Sequence, residues 1–113
     1  RGVRVMPGGD YGFAWNPIGA NARDIQYFVE HLGFTPMYSI MSATKLGGEI
    51  MMMGDELGQI QEGYLADILV VDGDPLKDVS ILRDRERLRL IMKDGKAHKN
   101  ELGHASADRV AAE

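Results

Sequence analysis

The stretch LGQIQEGYLADILVVDGDPL, residues 57–76, indicates how the second half of this chain folds. A short segment with a strand pattern ends at a turn around Gly63, and an apolar strand from Ile68 to Val71 stops at Asp-Gly-Asp-Pro, a pattern typical of strands separated by turns. Further along, LRLIMKDGKAHK at residues 88–99 predicts a β-hairpin around Asp94 and Gly95, because a type I′ turn requires positive φ at both central residues. We therefore predict strands near residues 67–72 and 87–98, and another short strand after residue 57.

Helical patterns precede this stretch. Apolar residues at helical spacing predict a helix near residues 22–32, with Asn21 as its N-cap and Gly33 as its stop: Ile25, Phe28, Val29 and Leu32. Thr35 followed by Pro36 predicts the start of a second helix near residues 36–46, because Pro is favoured at the first helical position. A short third helix is predicted over residues 49–53.

The opening segment RVMPGGDYGF, residues 4–13, combines a strand pattern with a carboxylate. The apolar run at residues 3–6 predicts a strand, which a Pro and two Gly residues break just before Asp10. One strand followed by amphipathic helices cannot bury both of its faces. The first forty residues therefore indicate the closing unit of a parallel sheet whose other strands lie elsewhere, and we expect the chain to need a partner protein surface.

The composition excludes several classes of protein. Hydrophobic residues make up 44% of the 113 residues and charged residues 27%, a balance typical of globular domains. The net charge of −4 argues against nucleic acid or an anionic membrane as the main partner. The chain has no cysteine, so disulfide and thiolate chemistry are excluded and a reducing compartment is permitted. We predict a cytoplasmic protein that binds neither nucleic acid nor membrane.

Several segments together resemble the C-terminal part of amidohydrolase-superfamily enzymes, in the imidazolonepropionase-like and Xaa-Pro dipeptidase-like branch. The segments are GVRVMPGGDYGF, NARDIQYFVEHLGFTP, SATKLGGEIM, ELGQIQEGYLADILVVDGDPL and LIMKDGK, which together span roughly residues 2–98. The resemblance implies an α/β fold in which residues 1–56 end a (β/α)8 TIM barrel and residues 57–100 supply strands of a small composite β-sandwich. Residues 101–113 are predicted to form a tail.

The resemblance also implies a metal-dependent hydrolase of amide-like C–N bonds, whether peptide, urea, carbamate or cyclic amide. Such enzymes hold one or two divalent ions, commonly zinc, at the C-terminal ends of the barrel strands. By position Asp10 resembles the aspartate of strand 8, as a metal ligand and catalytic proton shuttle, although many relatives carry Thr where this chain has Gly9. Most ligands are then expected in an N-terminal part of the enzyme outside this chain, and the whole enzyme is expected to be a homo-oligomer.

Each assignment has a simpler alternative in the sequence. Asp10 after two glycines is also compatible with an Asx-turn. Tyr11, Phe13 and Trp15 either line a pocket for a small-molecule amide-like substrate or pack the loop onto the neighbouring helix. The whole chain is compatible with a non-catalytic, truncated interaction module, and within the enzyme class with a deaminase or dechlorinating hydrolase. None of the three histidines occurs in an H-x-H or H-E-x-x-H motif.

Overall fold

The computed structural model describes residues 2–102, so nearly all of the predicted tail lies outside the described residues. Three helices come first: α1 (Arg23–Leu32), α2 (Pro36–Ala43) and α3 (Lys45–Ile50). Strand β1 (Ile68–Val71) follows, then a 3₁₀ helix (Val79–Arg83) and strands β2 (Leu88–Lys93) and β3 (Lys96–Asn100). The described part of the chain is therefore a small α/β unit with its helices before its strands, as the sequence predicts.

The three strands form one antiparallel sheet in the order β1-β2-β3. Lys93 pairs with Lys96 across a two-residue turn in which Asp94 has φ 49° and Gly95 has φ 75°, so the predicted hairpin is confirmed. The turn is also fixed to the start of β1, because the Asp94 amide donates to the Asp67 carboxylate at 2.8 Å. The turn sets the register of β2 and β3 beside it, and an irregularity between Ile91 and Met92 shifts the register further along the pair.

Individual residues at the ends of α1 and α2 explain where these helices stop and start. Gly33 ends α1 in the left-handed region with φ 72°, as predicted. The Thr35 side chain accepts a hydrogen bond from the Tyr38 amide, and Pro36 opens α2. The prediction of Asn21 as the N-cap of α1 is wrong: Ala22 occupies that position, and the Asn21 side chain instead accepts a hydrogen bond from the Gly19 amide at 3.3 Å.

The predicted third helix over residues 49–53 is misplaced, because α3 spans Lys45–Ile50. Thr44 breaks the helical path between α2 and α3 with φ −118° and ψ −81°. The loop after α3 then crosses this break at close range. A Cβ on Gly58 would lie 2.5 Å from the Thr44 carbonyl oxygen, and one on Gly48 would lie 2.6 Å from the Leu57 carbonyl oxygen. Glycine at both positions permits the crossing.

The predicted strand after residue 57 is wrong. Gly58 has φ 95°, and a turn in which the Tyr64 amide donates to the Gln61 carbonyl oxygen reverses the chain. The Leu65 amide then bonds to the Glu56 carbonyl oxygen at 2.7 Å, so this segment is a closed loop rather than a strand. The turns at Gly58 and Gly63 therefore prevent the predicted strand from forming here.

The predicted strand at residues 3–6 is also not formed within the described chain. Residues 2–9 make no backbone–backbone hydrogen bond with any other described residue, and the three-stranded sheet does not include them. A strand needs a neighbouring strand for its backbone groups, and none of β1–β3 lies beside this segment. Its side chains do pack, since Val5 and Met6 line a small cleft with Leu46 and Ile50.

The core of the described chain is small. Among residues 2–102 the buried apolar side chains are Val79 and Ile81 of the 3₁₀ helix and Leu90 of β2. Ser39 is also buried and links α2 to α1, because its hydroxyl donates to the Ile25 carbonyl oxygen at 2.7 Å. Many large apolar side chains remain exposed. None of the described helices has the length and apolar character needed to cross a membrane.

Candidate functional site

Asp10 lies at the end of the extended opening segment and at the start of the loop that leads into α1. Its side chain is exposed, and among residues 2–102 its carboxylate enters no ion pair and accepts no hydrogen bond. Its backbone carbonyl oxygen is held, since the Asn16 side-chain amide donates to it at 3.3 Å. The carboxylate is thus presented outward while the backbone that carries it is restrained.

The loop after Asp10 is a tight turn. The Gly12 amide donates to the Asn16 carbonyl oxygen at 2.7 Å, and the Asn16 amide donates to the Phe13 carbonyl oxygen at 3.0 Å. Gly12 has φ 120°, a conformation that favours glycine. Phe13 and Trp15 lie on this turn with 63% and 87% of their surface exposed. Both predicted pocket residues are therefore available to a molecule that approaches the loop.

Tyr11 has different surroundings from the other two aromatic residues. Its ring folds back over Gly9, where an added Cβ would lie only 2.1 Å from the Tyr11 Cε2 atom and 2.8 Å from the Asp24 carboxylate. Loss of hydration raises the pKa of the Tyr11 phenol above its ordinary value, and the neighbouring Asp24 carboxylate raises this pKa further. Tyr11 is therefore a neutral phenol packed against the first turn of α1.

Arg23, in the first turn of α1, fixes the loop from the opposite side. One of its guanidinium nitrogens donates to the Trp15 carbonyl oxygen at 3.0 Å and also to the side-chain oxygen of Asn16. The guanidinium carbon lies 5.7 Å from the centre of the Tyr11 ring, within the range of a cation–π interaction. Arg23 thus contacts three residues of the loop that follows Asp10: Tyr11, Trp15 and Asn16.

The described residues do not complete a metal site. No group of three His, Asp or Glu side chains within residues 2–102 is arranged to hold a metal ion. The exposed, unpaired carboxylate of Asp10 fits the role of one ligand, provided that other ligands come from outside this part of the chain. A groove of about 560 Å3 lies elsewhere, between the approach to α1 and the sheet, and its lining includes Ala20, Leu82, Arg83, Arg85, Ile91 and Lys99.

The sequence matches a known family over most of its length. The model of the amidohydrolase family matches residues 1–98, which include Asp10, the three helices and most of the sheet. This chain belongs to the amidohydrolase family. The match confirms the resemblance found in the sequence, and it places the chain in the C-terminal part of such proteins.

Three relatives illustrate the match. The ochratoxinase of Aspergillus niger is 31% identical over 86 residues, which are 74% of this chain and 18% of that protein. A crystal structure of a Xaa-Pro dipeptidase with methionine bound in its active site is 33% identical, with a TM-score of 0.69 over 75% of this chain and 20% of that chain. A Bifidobacterium longum protein described as a prolidase has a TM-score of 0.80 at 25% identity over 98% of this chain and 28% of that chain. The chain therefore spans about a fifth of the length of the first two.

The sequence did not single out Asn16 or Arg23. Neither residue belongs to a recognisable motif, and the two are seven positions apart, so no local spacing signals their contact. The only available signal is the irregular composition of the loop, which indicates that side chains rather than secondary structure must fix it. The contact depends on the direction in which the loop enters α1, which the sequence does not determine.

Proposed function

We propose that the protein containing this chain is a metal-dependent hydrolase of amide-like C–N bonds, with Asp10 in its catalytic centre. The observation that carries the proposal is the exposed, unpaired Asp10 carboxylate, held at its backbone, within the region that matches the amidohydrolase family. Two of the three relatives are described as peptidases of the Xaa-Pro type, which favours a small peptide substrate over a urea, carbamate or cyclic amide.

We further propose that residues 1–56 close the barrel of this enzyme and that residues 57–100 join its small β-sandwich. The opening segment supports this proposal, because backbone groups of residues 3–6 without partners in the described chain need partners from neighbouring strands. Exposed apolar side chains such as Val3, Ile18 and Ile60 support contact with the rest of the enzyme. Homo-oligomeric assembly and a cytoplasmic location stay predictions.

In the proposed mechanism Asp10 acts first as a ligand and then as a proton shuttle. A divalent ion held in part by Asp10, zinc in the simplest case, would lower the pKa of a water molecule in the site. The Asp10 carboxylate would take one proton of that water, the hydroxide would form a bond to the carbonyl carbon, and Asp10 would give the proton to the amine nitrogen as the C–N bond breaks. Phe13 and Trp15 bind the apolar part of the substrate on the side of the loop, and a contact of Tyr11 with substrate remains a prediction.

The test uses the full-length protein loaded with zinc and methionyl-proline as the first substrate. Asp10→Asn keeps the shape of the side chain but removes the base, so kcat is expected to fall by about 10²–10⁴-fold. KM should change little, because a proton shuttle acts mainly in the transition state. Asp72→Asn is the matched control, since Asp72 is also exposed but follows β1.

Turnover of Asp10→Asn within about threefold of wild type would remove Asp10 from the catalytic centre and favour the Asx-turn interpretation. A metal-loaded wild-type protein that hydrolyses no dipeptide or other amide would favour the interaction module instead. In that case the longer protein should also lack, outside this chain, the further metal ligands that the family resemblance implies.

A further inference from the structure

The loop after Asp10 has its own support on α1, which the family assignment does not explain. Asn16 is at the centre of this support, since its side chain contacts two different partners. Its amide nitrogen donates to the Asp10 carbonyl oxygen at 3.3 Å, and its amide oxygen accepts from Arg23. The two contacts fix which way the Asn16 amide faces, and they form a continuous path from the Arg23 guanidinium to the backbone of Asp10.

The partly buried position of the Arg23 guanidinium needs an explanation, because no carboxylate of the described residues pairs with it. Within residues 2–102 Arg23 makes no ion pair, and its two acceptors, the Trp15 carbonyl and the Asn16 amide, are neutral. Its Nε atom is buried and has no hydrogen-bond partner among the described residues. Burying such a group costs free energy, so stability alone is a poor reason for it.

The shape of the guanidinium supplies a reason. A planar, rigid group with several donors can hold two acceptors in fixed directions, whereas an ammonium on a flexible stem cannot. One planar nitrogen of Arg23 holds a carbonyl at the tip of the turn and an amide at its end, while the face of the guanidinium lies near the Tyr11 ring. The turn is thereby fixed at three points on one side.

We propose that Arg23 is a positioning residue that orients Asp10 by acting through Asn16. The inference rests on the proposed function, since it assumes that Asp10 works in the catalytic centre. Arg23 touches neither the Asp10 carboxylate nor, in this arrangement, a substrate. Its effect is to keep the Asp10 backbone at a fixed distance from α1. The carboxylate is then preorganised for the metal and for the leaving amine.

Three variants of the full-length protein separate this role from a general effect on folding. Arg23→Gln removes the charge and the fork of donors. Asn16→Asp retains an acceptor for Arg23 but cannot donate to the Asp10 carbonyl. Arg87→Gln is the control, because Arg87 also donates to a backbone carbonyl, that of Asp72 at 3.0 Å, but lies at the sheet.

Arg23→Gln and Asn16→Asp are expected to lower kcat for methionyl-proline by about 10- to 100-fold with little change in KM. The affinity of the metal-free protein for Co²⁺, measured by titration without substrate, should fall by about the same factor. The double variant should be no worse than the poorer single variant, because both changes interrupt one path. Arg87→Gln should match wild type in all three measurements.

Wild-type turnover and Co²⁺ affinity in Arg23→Gln would overturn the positioning role while leaving the proposed function intact. Losses that simply multiply in the double variant would overturn the action through Asn16. If Arg23→Gln does not fold, Arg23→Lys replaces it beside Asn16→Asp in the same measurements. The kcat and the Co²⁺ affinity of Arg23→Lys should then be below those of wild type. A wild-type protein that neither hydrolyses amides nor binds Co²⁺ would overturn the proposed function and this inference together.

Discussion

Replacing Gly9 by alanine tests whether the packing beneath Tyr11 controls Asp10. The new Cβ would lie 2.1 Å from the Tyr11 Cε2 atom, whereas ordinary contacts begin at 3.4 Å, so the ring or the backbone must move by about 1.3 Å. Gly9 does not have positive φ, so alanine brings no backbone strain of its own. Overpacking of this kind typically costs about 1–3 kcal/mol, and the partial exposure of Tyr11 favours the lower end of that range.

The larger effect is expected on turnover. Asp10 lies between Gly9 and Tyr11, so a shift of about an ångström at either neighbour displaces its carboxylate, and misplacement of that size can lower a rate by about 10²-fold. Gly8→Ala is the matched control, because no atom lies within 4 Å of a Cβ at that position. Under the proposed function we therefore expect Gly9→Ala to lower kcat of the full-length protein well below that of Gly8→Ala.

The double variant Gly9→Ala/Tyr11→Ala identifies the cause. Removing the ring relieves the closest contact of the new methyl group and leaves the Asp24 carboxylate at 2.8 Å, so this variant should turn over faster than Gly9→Ala alone. Steady-state kinetics and thermal unfolding of wild type and the three variants complete the comparison. Equal kcat values for Gly9→Ala and Gly8→Ala would refute the reasoning, because the close contact with Tyr11 would then have no effect on turnover.

Two further predictions concern stability and are measured by thermal unfolding of the full-length protein. Gly48→Ala should lower the melting temperature because its Cβ would lie 2.6 Å from the Leu57 carbonyl oxygen, whereas Gly47→Ala, with no atom within 4 Å, should leave it unchanged or raise it. A raised melting temperature in Gly48→Ala would contradict the close crossing. The Ser80 hydroxyl and amide hold the pKa of Asp78 below its ordinary value, so this carboxylate stabilises the fold above about pH 4, and the stabilisation is lost as the pH falls through the folded pKa. The difference between wild type and Asp78→Ala should therefore narrow in acid, and a difference independent of pH would contradict this assignment.

The sequence predicted helix ends and a turn correctly where one or two residues determine the backbone conformation. The Gly33 stop, the Thr35 cap with Pro36, and the Asp94-Gly95 turn each depend on the conformational preferences of one or two residues, and all three are confirmed. The family could also be identified from the sequence, because its different motifs are spread along residues 1–98.

The features that the sequence did not predict depend on contacts between distant residues. The sequence predicts a short strand after residue 57, but Gly58 crosses the α2–α3 break and the chain closes a loop there instead. The run at residues 3–6 has strand chemistry without a neighbouring strand in the described chain. The Arg23 and Asn16 contact depends on the path of the loop, and no periodic pattern encodes such a path.

The hairpin and the opening segment also imply different folding times for the two ends of this chain. The β2–β3 hairpin closes a two-residue loop, and isolated hairpins of this kind form in about 1–10 μs. Residues 2–9 have no such local route, because their backbone groups find no partner in the described chain. The hairpin can therefore form early from local contacts, whereas under the proposed function Asp10 would reach the catalytic centre only after the slower, long-range pairing of the segment that precedes it.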